Sequence, residues 1–504
     1  MLAPDYLDHA PDRLVLLFQQ VEDDILRDVA RRISKMETLT PTANWQLWRY
    51  QQTEAVRQDV VKKLARYTGK SEAAIRQLMQ EAATRALEAE DQIYYHYDLE
   101  PTPFAENETL QALLNAGYQQ TAGTFSNLTA TTANTVSGQF EAALDRAHLK
   151  VSTGAFDYKS AIKSAVDSLA DTMKYVTYPT GHKDTLEVAC RRAVLTGVNQ
   201  TAGKLQEARM DEMHVEFVET SAHGGARPSH AEWQGRQFHR GGAVDYLGKH
   251  YPDFYEATAY GTGGGIYGWN CSHTHWPIFP ELGAPPAWTQ ESLDALNARD
   301  IEYDGKMYTQ YEINQMQRAR ERTVRKYKRR YLAEDAAGAD TTQSAVKLRA
   351  ARAELADFTA RTGGRVDSAR TMVSGFGRSQ SSKATWAAKK QERLDAVNND
   401  LTELRQSGKI RMTGAAVVPP ALPNTLNFEG HSLEQMAKRQ ISLAQANEIA
   451  EHAILAISQR NGTQHSYYSD KGFIVIKQDG SIGTVGWLDD GGKQIVEVMK
   501  KHGF

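Results

Sequence analysis

The strongest constraint on this chain is a helical repeat that runs through its first third with few breaks. In "LLFQQVEDDILRDVARRISKM" the apolar residues Phe18, Val21, Ile25, Val29 and Ile33 return at steps of three and four, which places them in one stripe of an α-helix. Glu22, Asp23 and Asp24 precede Arg31, Arg32 and Lys35, the order that a helix dipole favours. "TPTANWQLWRYQQTEAVRQDVVKKLARYTG" opens on a Thr-Pro start signal, and Gly69 reads as its stop. "KSEAAIRQLMQEAATRALEAEDQIYYHY" continues with good helix formers, and a fourth segment runs from about 107 to 147. Such a region folds as packed helices, and nothing in it is spaced for chemistry.

After about residue 210 the periodicity changes. "DEMHVEFVETSA" alternates apolar and polar residues and predicts a strand around Val215, Phe217 and Val218. "HGGARPSHAEWQGRQFHRGG" and "GTGGGIYGWNCSHTHWP" follow, too rich in glycine for helix. Six of the 15 histidines fall at 223, 230, 239, 250, 273 and 275, where an even spread would leave about two. This stretch also holds Cys271, one of only two cysteines.

Cys271, His273 and His275 offer a thiolate and two imidazoles, and His230 or His239 would complete a tetrahedral zinc site. The Cys-x-His-x-His spacing is tight for ligands on one strand. The competing expectation is a packed loop in which Trp269, Trp276 and Pro277 are buried, Gly263–Gly265 adopt positive φ, and the histidines satisfy backbone groups. The packed loop is the expected outcome. A cysteine protease built on Cys271 lacks an oxyanion-forming motif.

Helix resumes with "YTQYEINQMQRARERTVRKYKRRYLAED", where Arg318, Arg320, Arg322, Arg325, Lys326, Lys328, Arg329 and Arg330 surround a single acid, Glu321. These charges wrap the helix instead of forming one stripe. They are either a solvated surface paired with acids elsewhere or a contact with DNA phosphates or an acidic protein surface; Arg318, Arg322, Arg325, Lys326, Arg329 and Arg330 are the candidate DNA contacts. Two polar helices are predicted at roughly 343–362 and 384–407, joined by a mobile connection, "TGGRVDSARTMVSGFGRSQSS". "GAAVVPPALPN" reads as an interdomain linker, since its prolines end helix and central strand alike.

The remainder predicts two helices with Leu433, Met436, Ile441, Ile449 and Ile454 inward, strands with an Asp479-Gly480 hairpin turn, and a terminal helix. The expected fold is therefore a mainly α N-terminal region (1–150), an α+β central domain with Gly/His-rich loops (151–340), a helical extension with a proline-containing linker (341–426) and a small α+β C-terminal module (427–504). A chain of 504 residues is long enough for several such parts. Two cysteines exclude a disulfide framework, and a net charge of −3 selects no partner. The acidic start "MLAPDYLDHAPDR" lacks the pattern of a signal peptide, and no apolar run approaches the ~20 residues of a membrane span, so no stable membrane insertion is expected.

"TSAHGGARPSHAEWQGRQF" followed by "YGTGGGIYGWNCSHTHWPIFPELG" resembles the phage minor capsid protein 2 family, related to the Mu F-like head morphogenesis proteins. "DDILRDVARRI", "ANWQLWRYQQ" and "NQMQRARERTVRKYKRRYLAED" fit the same family, so the resemblance covers roughly residues 1–360. It departs at Ser272, where the family commonly has arginine between the cysteine and the histidine. The resemblance implies a minor capsid protein of the bacteriophage head, assembled in the host cytoplasm beside portal and capsid proteins and acting in head morphogenesis or DNA delivery.

The C-terminal order of helices and then a meandering sheet is similar to small nuclease toxins of the barnase, EndoU, colicin and RelE type. That similarity implies an alternative function, the carriage of a ribonuclease-like effector with an RNA substrate and no metal requirement. Its candidate catalytic residues are His431, Arg439, His465, Tyr467 and Thr484, which supply imidazoles for proton transfer and a guanidinium and hydroxyls for the phosphate.

Overall fold

The computed structural model describes residues 2–36, 42–153, 157–178, 180–283 and 285–504. The chain divides into two compact units, Met1–Ser381 and Ser382–Phe504. Mainly helical structure gives way to small sheets in the central and C-terminal parts, the expected fold class.

In the first unit, α1 (Pro4–His9), α2 (Asp12–Ser34), α3 (Thr42–His96), α4 (Glu108–Ser152), α5 (Tyr158–Thr172) and α6 (Leu186–Glu212) enclose one core. The stripe Phe18, Val21, Ile25, Val29 and Ile33 is buried in it, as the periodicity predicts. Gly69 does not stop a helix: α3 is continuous over 55 residues. One interior glycine costs about 1 kcal/mol, too little to end a helix whose flanking residues Val56, Val60, Leu64, Ile75 and Met79 are all buried. The Thr40-Pro41 start signal lies outside the described residues. α4 and α6 cross closely at two glycines; a Cβ on Gly117 would lie 2.2 Å from Thr201 Oγ1, and one on Gly197 would lie 2.2 Å from Thr121 Oγ1.

The central part is built on a three-stranded antiparallel sheet in which Phe217–Thr220 lies between Gln237–His239 and His275–Pro277. Its own core contains Val218, Trp233, Phe238, Phe254, Tyr267 and Cys271. It belongs to the same compact unit as the N-terminal helices. A long basic helix, α10 (Gln310–Ala336), starts on a capping box made by Thr309 and Glu312; the short helices Pro228–Ala231, Phe254–Ala257 and Gln290–Leu296 precede it as α7, α8 and α9. α11 (Thr342–Arg361) packs beside it. The stretch expected to be mobile is anchored instead. Ser374 N–H donates to Asp23 Oδ2 at 2.7 Å, Lys328 Nζ reaches Thr371 O at 2.5 Å, and Phe376 packs edge-on against Tyr331.

The second unit is a five-stranded antiparallel sheet in the order Ala415–Val417, Leu455–Gln459, Gln464–Tyr468, Gly472–Lys477, Ile482–Trp487. One face buries Leu455, Ile457 and Tyr468 with Val397 and Leu401 of helix Arg378–Gln406 and Ile495 and Met499 of helix Asp490–Lys501. The other buries Ala456, Tyr467 and Ile474 with Met436 and Ile449 of helices His431–Arg439 and Leu443–Glu451. Leu433, expected inward, is exposed. The Asp479-Gly480 turn closes the last hairpin with Gly480 at φ 81°. The supposed linker is part of this sheet: Ala415–Val417 is its edge strand, and Pro420 O accepts from the Tyr467 hydroxyl at 3.2 Å. Pro419, Pro420 and Pro423 lie just beyond this strand, which ends at Val417, so they remove no hydrogen bond from the ladder.

Candidate functional site

The Gly-Cys-His loop sits against one face of α6. Asn199 Nδ2 donates to Cys271 O at 2.9 Å, Gln206 Nε2 donates to His275 O at 2.8 Å, and Glu207 Oε1 lies 2.8 Å from His275 Nε2. Positions 199, 206 and 207 are seven and eight residues apart, so they share one side of the helix. Inside the loop the glycines serve close approach. A Cβ on Gly265 would lie 2.0 Å from Ala259 O, and one on Gly268 would lie 2.5 Å from Gly263 O. The expected positive φ at Gly263–Gly265 is absent; Gly261, Tyr267 and Asn270 carry it. Trp269, expected in the interior, is 60% exposed, whereas Pro277 is buried.

The four candidate metal ligands separate into two groups. His230, Cys271 and His273 come together, fully buried, with their ligand atoms within 4.8 Å of one another. His230 Nδ1 is 3.3 Å from His273 Nδ1, and Cys271 Sγ is 3.7 Å from the same His273 atom. His275 points elsewhere: its Nδ1 is 2.6 Å from the Tyr267 hydroxyl and its Nε2 faces Glu207. It is excluded from the cluster because a carboxylate and a phenol take both ring nitrogens. His239 is also apart, bound to Gly242 O and near Glu216.

Burial pushes His230 down to about 4 and His273 well below the usual imidazole range. Burial also lifts the Cys271 thiol to about 11, which is the reverse of an activated nucleophile. Glu207 is the opposite case. Burial favours its neutral form, but the contact with His275 and the charges of His275 and Arg240 outweigh it and hold the carboxyl at about 2.

His223, His230 and His273 line a cleft of about 1300 Å³. Its walls carry seven arginines, Arg191, Arg192, Arg227, Arg318, Arg322, Arg325 and Arg370, against three carboxylates, Asp12, Glu187 and Glu321. Sequence reasoning missed several of the residues that shape this place. Gln234, four positions beyond His230, accepts from His273 Nε2 at 3.1 Å; Arg227 donates to Trp269 O. His223 packs against His273 with ring centroids 4.3 Å apart and planes tilted by 32°. Gln234 and Arg227 flank His230 in one short segment, which was the available signal.

The candidate DNA contacts divide as well. Arg329 pairs with Glu22, Asp23 and Glu187; Arg330 with Asp167, Asp171 and Glu334; Arg325 with Glu187; and Lys326 with Asp171. These four hold α10 to α2, α5 and α6. Arg318 and Arg322 line the cleft, and Arg322 is exposed.

In the second unit, Arg439 Nη1 donates to Thr484 Oγ1 at 3.2 Å and also to Val485 O. His465 and Tyr467 lie two apart on one strand with ring centroids 6.4 Å apart, and Tyr467 is buried. His431 is exposed at the start of its helix, and among the described residues no hydrogen bond or ring contact joins it to the other four.

No helix among the described residues is long and apolar enough to cross a membrane. No curated protein and no solved structure matches the chain. The family model described as phage minor capsid protein 2 matches residues 2–360, more than two thirds of the length, and the chain belongs to that family, as a structural component of the virion.

Proposed function

We propose that this chain is built into the phage head beside the portal, where it acts in head assembly or DNA delivery, and that its arginine-lined cleft is turned toward the DNA backbone. The observation that carries this reading is the excess of arginines, seven against three carboxylates, on the cleft walls. Phosphates are the polyanion available inside a head, and each neutralised phosphate steepens the salt dependence of binding by about 0.9 in log–log slope. Duplex DNA titrated against the full chain at several salt concentrations tests it. Arg318→Ala with Arg322→Ala is expected to weaken binding on all sequences alike and to lower the slope by up to about 2. Binding that is insensitive to salt, or unchanged in the double variant, contradicts the reading.

A second reading concerns residues 382–504, which fold around their own sheet and lie beyond the family match. The pairing of Arg439 with Thr484 supports a phosphate-binding, ribonuclease-like role for this unit. Cleavage of total RNA in EDTA by residues 382–504, lost in His431→Ala or His465→Ala, is the expected result; intact RNA in the presence of the folded fragment rejects it. The fragment begins at 382 because Val397 and Leu401 belong to its core.

A further inference from the structure

We propose that His230 Nδ1, Cys271 Sγ and His273 Nδ1 bind one zinc-class divalent cation, whose fourth position opens to the arginine-lined cleft and takes an exchangeable oxygen ligand, water or an anion.

The proton positions of the two imidazoles lead to this site. His230 Nε2 lies 2.8 Å from Gly264 O, a carbonyl that only accepts, so the hydrogen is on Nε2 and Nδ1 carries a lone pair. For His273 a chain of amides gives the same answer. Asn297 Nδ2 donates to Leu293 O at 3.0 Å, which leaves Asn297 Oδ1 to accept from Gln234 Nε2 at 3.1 Å. Gln234 Oε1 therefore faces His273 Nε2 and accepts its hydrogen at 3.1 Å, while also accepting from His223 N–H at 3.1 Å. Both Nδ1 atoms thus turn lone pairs toward each other across 3.3 Å. Two buried acceptors at that distance repel each other unless a cation lies between them.

The spacing fits the cation. Zinc binds imidazole nitrogen at about 2.0–2.1 Å and thiolate sulfur at about 2.3 Å, so a tetrahedral ion has N···N edges of about 3.3 Å and N···S edges of about 3.6 Å. The observed separations are 3.3 Å and 3.7 Å. The His273 backbone N–H donates to Cys271 Sγ at 3.4 Å, a bond that steadies a thiolate. Hydrogen-bond partners on the far nitrogens, Gly264 O and Gln234 Oε1, are what ligating histidines ordinarily have.

Three protein ligands leave one position, and the cleft determines what reaches it. His230 and His273 both border the cleft. So does His223, whose Nε2 is buried without a hydrogen-bond partner among the described residues and is placed to meet a ligand there. Binding exchanges water ligands of the hydrated cation for the two imidazole nitrogens and the sulfur, and releases the thiol proton of Cys271 to solvent.

Elemental analysis of the full chain, purified without chelator or affinity metal, tests the site. About one equivalent of zinc is expected, falling at least tenfold in Cys271→Ala and in His230→Ala, while His239→Ala keeps it. Cobalt(II) loaded into the wild-type chain after chelator treatment provides a readout that does not depend on how the variants fold. A thiolate-to-cobalt charge-transfer band and intense tetrahedral visible bands are expected, and added inorganic phosphate should shift the visible bands. Wild-type protein without metal and without the charge-transfer band on cobalt addition overturns the site. Visible bands unmoved by saturating phosphate overturn the open fourth position.

Discussion

Arg329 meets Glu22 at 2.7 Å although 307 positions separate them in the chain. The same guanidinium reaches Asp23 at 3.2 Å and Glu187 at 3.3 Å, so one side chain ties α10 to α2 and α6 in the interior. Glu22 and Asp23 are buried, and burial raises their carboxyls to about 7 and about 6 despite the arginine. Removing one member of such a group strands the other charges in a dry interior. Arg329→Met is expected to destabilise residues 1–381 by about 3–5 kcal/mol. Chemical denaturation of variant and parent checks this, and Arg322→Met, at an exposed position, should change stability by less than about 0.5 kcal/mol.

Glu90 sets a pH dependence of definite sign. It is buried, accepts from the Tyr94 hydroxyl at 3.0 Å, and is lifted by burial to about 8. The folded chain then holds this proton up to about pH 8, while the unfolded chain releases it near 4.5. Its contribution is fully present below pH 4.5 and is lost as pH rises through 8. Each pKa unit corresponds to about 1.4 kcal/mol. Glu90→Gln should therefore match the parent near pH 4.5 and exceed it in melting temperature above pH 8. Parallel melts across that range decide it.

Glu207 should behave in the opposite way. Its carboxyl is held at about 2, so its contribution is present above 4.5 and disappears as pH falls through 2. Glu207→Gln is expected to lower the melting temperature at pH 7 and to lose most of that effect at pH 2–3. An equal deficit at both pH values would show that the carboxylate charge is not what His275 and Arg240 recognise.

Two adjacent glycines give a sharp contrast. A Cβ on Gly264 meets nothing within 4 Å, whereas one on Gly265 strikes the Ala259 carbonyl at 2.0 Å. Gly265→Ala should cost about 1–3 kcal/mol through overpacking against backbone, and Gly264→Ala less than about 0.5 kcal/mol. Thermal melts of the pair separate close packing from a general need for flexibility in this loop.

The helical scaffold was legible because a stripe such as Phe18, Val21, Ile25, Val29 and Ile33 needs only local spacing to be read. Gly69 misled because a breaker was weighed alone, without the buried residues on both sides that hold α3 together. The proline-rich stretch misled for a related reason. Ala415–Val417 becomes a strand only because Leu455–Gln459 offers it an edge, and no local signal announces a partner 40 residues away. In the loop, composition pointed to the right residues but not to their division. Cys271, His273 and His275 look equivalent in sequence; α6 separates them by placing Glu207 against His275. The basic block was ambiguous because its acids lie on α2, α5 and α6, 142 positions upstream for Arg329–Glu187 and 307 for Arg329–Glu22.

The proposal that this chain occupies the phage head as a partner of the portal is tested by co-expressing it with the cognate portal protein and measuring the mass of the purified assembly. A stable complex that elutes together and retains both proteins in fixed proportion is expected. Two proteins that separate completely under conditions where each is folded would contradict it.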